Sequence, residues 1–105
     1  MKARSGEVWL ADLGLAAKLR PVVIVSRDDA NPPRVLAIYV PLTTQHRGSR
    51  YEVELGKLPF LEQASVANVQ GIGSLAKARL ERKLGQLPTQ LMSKVKEALR
   101  FSLDL

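Results

Sequence analysis

Cysteine is absent from this chain of 105 residues, and histidine occurs once. The first absence excludes disulfides and thiolate metal sites. The second leaves too little imidazole for a His-rich zinc centre. Aromatic residues are scarce, with a single tryptophan at position 9. No apolar run approaches the roughly 18 residues that a membrane-crossing helix needs. The first residues, Met1-Lys2-Ala3-Arg4-Ser5-Gly6, lack the apolar core of a secretory leader. There is no repeat, low-complexity tract or interdomain linker. A soluble, cytoplasmic protein with no membrane attachment is expected, as one domain over residues 1–105.

Apolar residues make up 46%, too many for a disordered chain and enough for a core. A chain this small buries a modest share of its surface, and self-association would add burial. Sixteen basic residues face 10 acidic ones, a net charge of +6. That excess favours a polyanion or an acidic protein partner. Solubility alone would also account for it.

Periodicity of two predicts a strand over Glu7–Leu13, with Val8, Leu10 and Leu13 inward. Residues 14–19 read as a short loop. Pro21–Ser26 is a second strand, apolar on both faces and therefore central. Arg27–Pro33 is a turn by composition. Arg34–Leu42 is a third strand, and 45–50 a loop. Tyr51–Leu55 alternates as a strand with one wet face, and Ser65–Gln70 is another. Ser74 is placed to N-cap a helical turn over 75–79, and Arg82–Leu87 is a last strand. Pro88 opens a helix at the position where its missing N–H costs least. Leu91, Val95 and Leu99 form its apolar stripe, widened by Met92, Ala98 and Leu103, with Lys94, Lys96 and Arg100 opposite. Many short strands and one terminal helix predict a mainly β (α+β) fold, a small antiparallel barrel with a C-terminal α-helix.

Two polar clusters sit at the ends of apolar runs. Arg20-Pro21 opens Val22-Val23-Ile24-Val25, and Thr43-Thr44-Gln45 closes Val35–Leu42. A guanidinium from one strand end and a hydroxyl from another could hold a phosphate between them without a metal. RNA brings its own nucleophile, the 2′-hydroxyl, so few catalytic side chains are required. Taken singly, Arg20 is a solvated rim charge and Thr43 an ordinary strand residue. His46 suits acid–base work near neutral pH, although a solvated loop histidine is the simpler reading. Trp9 could stack a base or fill a core. Lys18, Arg47 and other scattered cations could line a groove for single-stranded RNA.

The chain resembles the MazF/PemK/Kid toxins of bacterial toxin–antitoxin systems. The resemblance rests on Gly6-Glu7-Val8-Trp9-Leu10-Ala11-Asp12-Leu13, Arg20-Pro21-Val22-Val23-Ile24-Val25-Ser26 and Val40-Pro41-Leu42-Thr43-Thr44-Gln45. It continues through Ser65-Val66-Ala67, Ile72, Arg79-Leu80 and Ala98-Leu99-Arg100-Phe101-Ser102-Leu103. It implies an SH3-like barrel, a homodimer and a metal-independent endoribonuclease without cofactor that cuts single-stranded RNA at short sequences. It also implies an antitoxin whose acidic, initially disordered tail fills the RNA groove. Arg20 and Thr43 stand where the family has its catalytic arginine and threonine. Thr44, Gln45, His46, Arg47, Lys18 and Gln70 are the positions that would bind or position RNA. The chain departs from the family in its short Leu15-Ala16-Ala17-Lys18-Leu19 loop, in neutral Gln70 at a commonly acidic position, and in Gly73 at a commonly basic one. A non-catalytic RNA-binding barrel and a gyrase-poison-type toxin remain as alternatives. The second lacks the C-terminal Trp-Gly-Ile of such relatives, since the chain ends Phe101-Ser102-Leu103-Asp104-Leu105.

Overall fold

The chain forms seven strands and one helix, six of the strands over segments with strand-like apolar patterns. The computed structural model describes residues 3–14 and 18–105. The expectations for Met1-Lys2 and for Leu15-Ala16-Ala17 therefore lie outside the described residues. The strands are β1 (Glu7–Asp12), β2 (Leu19–Ile24), β3 (Leu36–Thr43), β4 (Glu52–Gly56), β5 (Ser65–Asn68), β6 (Gly73–Ala76) and β7 (Leu80–Gln86). The helix α1 spans Thr89–Ser102. The strands run antiparallel in the order β4-β5-β3-β2-β1-β7, with β6 on β3. Among the described residues the end strands β4 and β7 do not pair, so the mainly β fold is barrel-like and not a closed barrel.

Both faces of the central strands are covered. Val8, Val23, Val40 and Leu42 join Met92, Val95 and Ala98 of α1 in the larger core. Trp9, Ala11, Val22, Ile24 and Ala37 pack with Leu75 and Leu80 in a second core on the opposite face. Strand β2 is central as expected, with Val22, Val23 and Ile24 fully buried. In β1 the inward set is larger than alternation suggested. Trp9 and Ala11 are buried while Leu10 is half-buried, because Leu75 and Leu80 cover the second face.

Ser74 does not cap a helix. Gly73–Ala76 pairs with Leu36–Tyr39 as a strand, burying Leu75 and exposing Ser74 and Ala76. A 3-10 turn follows at Lys77–Arg79, with Ala76 at its cap. The fifth strand stops at Asn68, and Val69–Gly71 forms another 3-10 turn. In α1 the buried line is Met92, Val95 and Ala98, flanked by half-buried Leu91 and Leu99, while Leu103 lies exposed beyond the last turn. Pro88 occupies the cap, and its carbonyl accepts the Met92 N–H at 2.9 Å.

Glu7 is the one buried carboxylate in the described residues. Its Oε1 accepts the Arg4 N–H at 2.9 Å and the Trp9 indole N–H at 3.1 Å, and its Oε2 lies 3.0 Å from Lys83 Nζ. Burial pushes this carboxyl up. The Arg4 N–H, the Lys83 ammonium and the Trp9 N–H pull it further down, so it stays below the ordinary carboxylate value. Glu7 thereby ties β1 to β7 and orients Trp9 in the second core.

Glu7→Gln leaves Lys83 without its carboxylate and should cost about 1–3 kcal/mol at neutral pH by urea unfolding. Because the folded-state pKa is depressed, this stabilisation is complete above the unfolded value of about 4.3. It is lost as pH falls through the folded value. The gap between wild type and variant should narrow on acidification to about pH 3, and a pH-independent gap would refute the assignment.

Candidate active site

Thr43, the last residue of β3, is half-buried. Its Oγ1 accepts the Gln45 N–H at 3.1 Å, a local side-chain turn that ends the strand. The chain then bends so that Thr43, Gln45 and Arg47 share a hollow of about 490 Å³ with Asn68, Gln70, Tyr51, Ser49 and Glu52. Asn68 Oδ1 accepts the Gln70 N–H at 3.2 Å and caps the turn that carries Gln70. The hollow is thus walled by the end of β3, the 44–51 loop, the start of β4 and the end of β5.

Arg20 reaches this neighbourhood through strand register. Strands β2 and β3 pair at Ile24↔Tyr39, Val23↔Val40 and Val22↔Pro41. Arg20 and Thr43 each lie two residues beyond the last of these pairs, where the β2–β3 ladder has ended. Side chains two apart share a face, so Arg20 lies on the face of Val22 and Ile24, and Thr43 on that of Tyr39 and Pro41. Beyond Val22↔Pro41 the strands part. Strand β2 stays on β1, with Ala11↔Arg20 and Asp12↔Leu19, while β3 passes to β5, with Leu42↔Ala67 and Thr43↔Val66. Arg20 is exposed and Lys18 lies exposed just before it, so a cation flanks the point of parting. Neither Arg20 nor Lys18 lines the hollow itself.

The remaining candidates divide. Gln45, Arg47 and Gln70 meet Thr43 in the hollow, and Arg47 Nη2 donates to Gln45 Oε1 at 3.4 Å. Thr44 is exposed between them. His46 lies elsewhere: its Nδ1 is 3.0 Å from Glu54 Oε1, and it lines a second hollow between the loop and α1. Trp9 is buried and bonded to Glu7, so it fills a core and is not available to stack a base. Gly73 pairs with Tyr39, and a Cβ there would come within 2.9 Å of the Tyr39 hydroxyl. The absence of a side chain lets that ring lie against the backbone. Among the described residues no group of three or more His, Asp or Glu side chains is placed to hold a metal ion.

Sequence reasoning assigned no role to Glu52. Its Oε1 accepts the Ser49 N–H at 3.0 Å and the Ser49 hydroxyl at 2.9 Å, and its Oε2 accepts the Arg47 N–H at 3.0 Å. The Ser49 N–H, the Arg47 N–H and the Ser49 hydroxyl, in that order, hold this carboxyl below its ordinary value, with His46 adding a weaker attraction. The spacing Ser49-x-x-Glu52 is the signal that could have found it, since a serine three residues before a glutamate is the pattern of reciprocal side-chain caps.

A model of the PemK-like, MazF-like toxins of type II toxin–antitoxin systems matches residues 4–103. The chain belongs to that family. It is 36% identical over 101 residues to the probable endoribonuclease MazF5 of Mycobacterium tuberculosis, covering 94% of this chain and 91% of the relative. It is 31% identical to the endoribonuclease EndoA of Bacillus subtilis, covering 100% of this chain and 97% of the relative. A mycobacterial endoribonuclease solved in complex with its cognate antitoxin superposes with a TM-score of 0.84 at 31% identity, covering 97% of this chain and 95% of that one. Against that PemK/MazF background, Arg20 and Thr43 just beyond the last β2–β3 pair and the amide-lined hollow are the features with chemical content.

The outer side of the loop is anchored by aromatic packing. The Arg50 guanidinium sits 3.8 Å from the Phe101 ring centroid, and the Tyr51 ring lies 5.1 Å from it. Phe101→Ala removes both contacts and should cost about 1–2 kcal/mol in chemical denaturation. No measurable loss would show that the stack contributes nothing.

Proposed function

We propose that this chain is an endoribonuclease toxin, a single domain acting in the cytoplasm on single-stranded RNA. In the proposed reaction the RNA 2′-oxygen attacks the adjacent phosphorus. The new O–P bond closes a 2′,3′-cyclic phosphate as the bond to the 5′-oxygen breaks. The 2′-proton passes to solvent, and the departing 5′-oxygen takes a proton to become a 5′-hydroxyl. The work left to the protein is alignment and charge stabilisation. Arg20 supplies a planar, permanently charged fork for the non-bridging oxygens. Thr43 Oγ accepts from the Gln45 N–H and retains its own proton to donate to the phosphate or to orient the 2′-hydroxyl. Gln45 and Gln70 offer amides to base edges, and Arg47 and Lys18 supply positive charge along the strand.

What supports this reading is that Arg20 and Thr43 each stand two residues beyond the last β2–β3 pair, Val22↔Pro41, and that Thr43 lines a hollow with the amides of Gln45, Asn68 and Gln70. Family membership supports the rest, because curated relatives are named endoribonucleases. The solved complex of a relative with its antitoxin supports a partner here. For this chain that partner is an antitoxin whose acidic segment orders on binding and competes with RNA for the site beside Thr43.

Purified protein incubated with a long unstructured RNA in EDTA should cut it and leave cyclic phosphate and 5′-hydroxyl ends. Arg20→Ala should reduce cleavage at least about hundredfold while circular dichroism stays unchanged. Intact RNA with folded wild-type protein sinks the reading. Salt-dependent binding without cleavage would instead identify a non-catalytic RNA-binding barrel.

The toxin is also proposed to act as a homodimer. Val35, Leu36 and Ile38 are 69%, 41% and 43% exposed in and beside β3, an apolar strip without cover in the single chain. A second copy related by a two-fold axis would bury it. Sedimentation should give twice the mass of one chain at micromolar concentration, and Ile38→Glu should shift it toward one. A wild-type mass of one chain refutes the dimer.

A further inference from the structure

We infer that Glu52 is a positioning residue for RNA recognition: its carboxylate holds the 45–50 loop in the shape that presents Gln45 and Arg47 to the groove. The inference rests on the ribonuclease reading above and adds a device that sets its specificity.

Residues 44–50 are all exposed, so no apolar anchor within that stretch orders it. Gly48 adopts φ +71°, which marks a sharp local reversal. Arg50 against Phe101 and His46 on Glu54 hold the outer side, and on the side of the hollow the backbone's polar bonds converge on one side chain. The two oxygens of Glu52 take up the Arg47 N–H, the Ser49 N–H and the Ser49 hydroxyl. The Ser49 hydroxyl in turn accepts the Tyr51 N–H at 3.2 Å, and the Ser49 carbonyl accepts the Glu52 N–H at 3.3 Å. The bonds run in both directions between the loop and the first residue of β4. Because β4 pairs Glu52 with Asn68 of β5, the loop inherits the position of the sheet.

The same bonds settle what an acid is doing beside a phosphate groove. A free carboxylate there would repel RNA. In Glu52 the charge is directed into backbone N–H groups and a hydroxyl, where it is hydrogen-bonded. Its oxygens are committed to the loop and not aimed at a 2′-hydroxyl. Loop order fixed before binding removes an entropy cost from association and fixes which base edges the amides meet.

The test compares Glu52→Ala and Glu52→Gln with wild type in two measurements. Amide exchange by NMR should show the Arg47 and Ser49 N–H groups released in Glu52→Ala while amides in β2 and β3 keep their protection. On a randomised RNA pool, Glu52→Ala should raise KM roughly threefold to tenfold and broaden the sequences cut, with kcat falling less than about threefold. Glu52→Gln retains one acceptor oxygen and should fall between. Unchanged exchange at Arg47 and Ser49 overturns the clamp. An unchanged KM and cut profile despite a released loop overturns its role in recognition. A kcat loss beyond about hundredfold in both variants at constant KM would move Glu52 into the chemistry and overturn the positioning role. If wild-type protein cuts no RNA, the ribonuclease reading fails separately. The exchange data and the affinity for a single-stranded oligonucleotide then decide the clamp.

Discussion

The pairing register of β3 is the constraint on which the rest of the molecule depends. This strand is shared by three neighbours: β2 along one edge, and β6 followed by β5 along the other. Where β3 passes from β6 to β5, it also parts from β2, and that divergence opens space beside Thr43. The register is held by the two cores. Val23, Val40 and Leu42 pack toward α1, while Val22, Ile24 and Ala37 pack toward Trp9 and Leu75. A slip of one residue would exchange these faces and turn Arg20 toward the helix-side core. Burying an unpaired guanidinium is far costlier than any gain from repacking a valine. The hydrophobic pattern of β2 thus fixes the direction of its leading arginine, although none of those aliphatic residues touches substrate.

Two glutamates show how one side-chain type serves different ends. Glu7 is buried and satisfied by Arg4, Trp9 and Lys83, which stitches distant parts of the sheet together. Glu52 is satisfied almost entirely by its own neighbourhood, Arg47 and Ser49. Both have lowered pKa values. In neither case does the lowered value indicate acid–base catalysis, since the partners are structural donors. Structural hydrogen-bond networks lower a carboxylate's pKa as readily as catalytic ones do.

The strands were legible in the sequence where alternation was strong. Val22-Val23-Ile24 reads as central because both faces are apolar, and it is. Gly73-Ser74-Leu75-Ala76 has a single large apolar residue, too little for a period of two to register, and a serine at a plausible cap position suggested a helix. Tertiary pairing with Leu36–Tyr39 decided otherwise. Barrel closure was not legible, because it depends on whether β4 meets β7, a contact between segments far apart in the chain. At the site, Thr43 and Gln45 were legible as a polar cluster at a strand end. Their meeting with Gln70 was not, since it needs β5 beside β3 and the Asn68 cap. His46 is adjacent to Gln45 in sequence yet faces the other way, toward Glu54.

This division of the loop has a physical consequence for recognition. One side, through Gln45 and Arg47, faces the hollow beside Thr43. The other, through His46 and Arg50, faces α1 and Phe101. A loop of exposed residues held from both sides presents fixed hydrogen-bonding groups without a hydrophobic core of its own. Such a surface suits an extended single strand, whose bases are already unstacked and can be read at their edges. A duplex would not offer those edges, because its deep, narrow major groove keeps side chains from reading them. A shallow, polar wall of this kind is compatible with the single-stranded substrate proposed above.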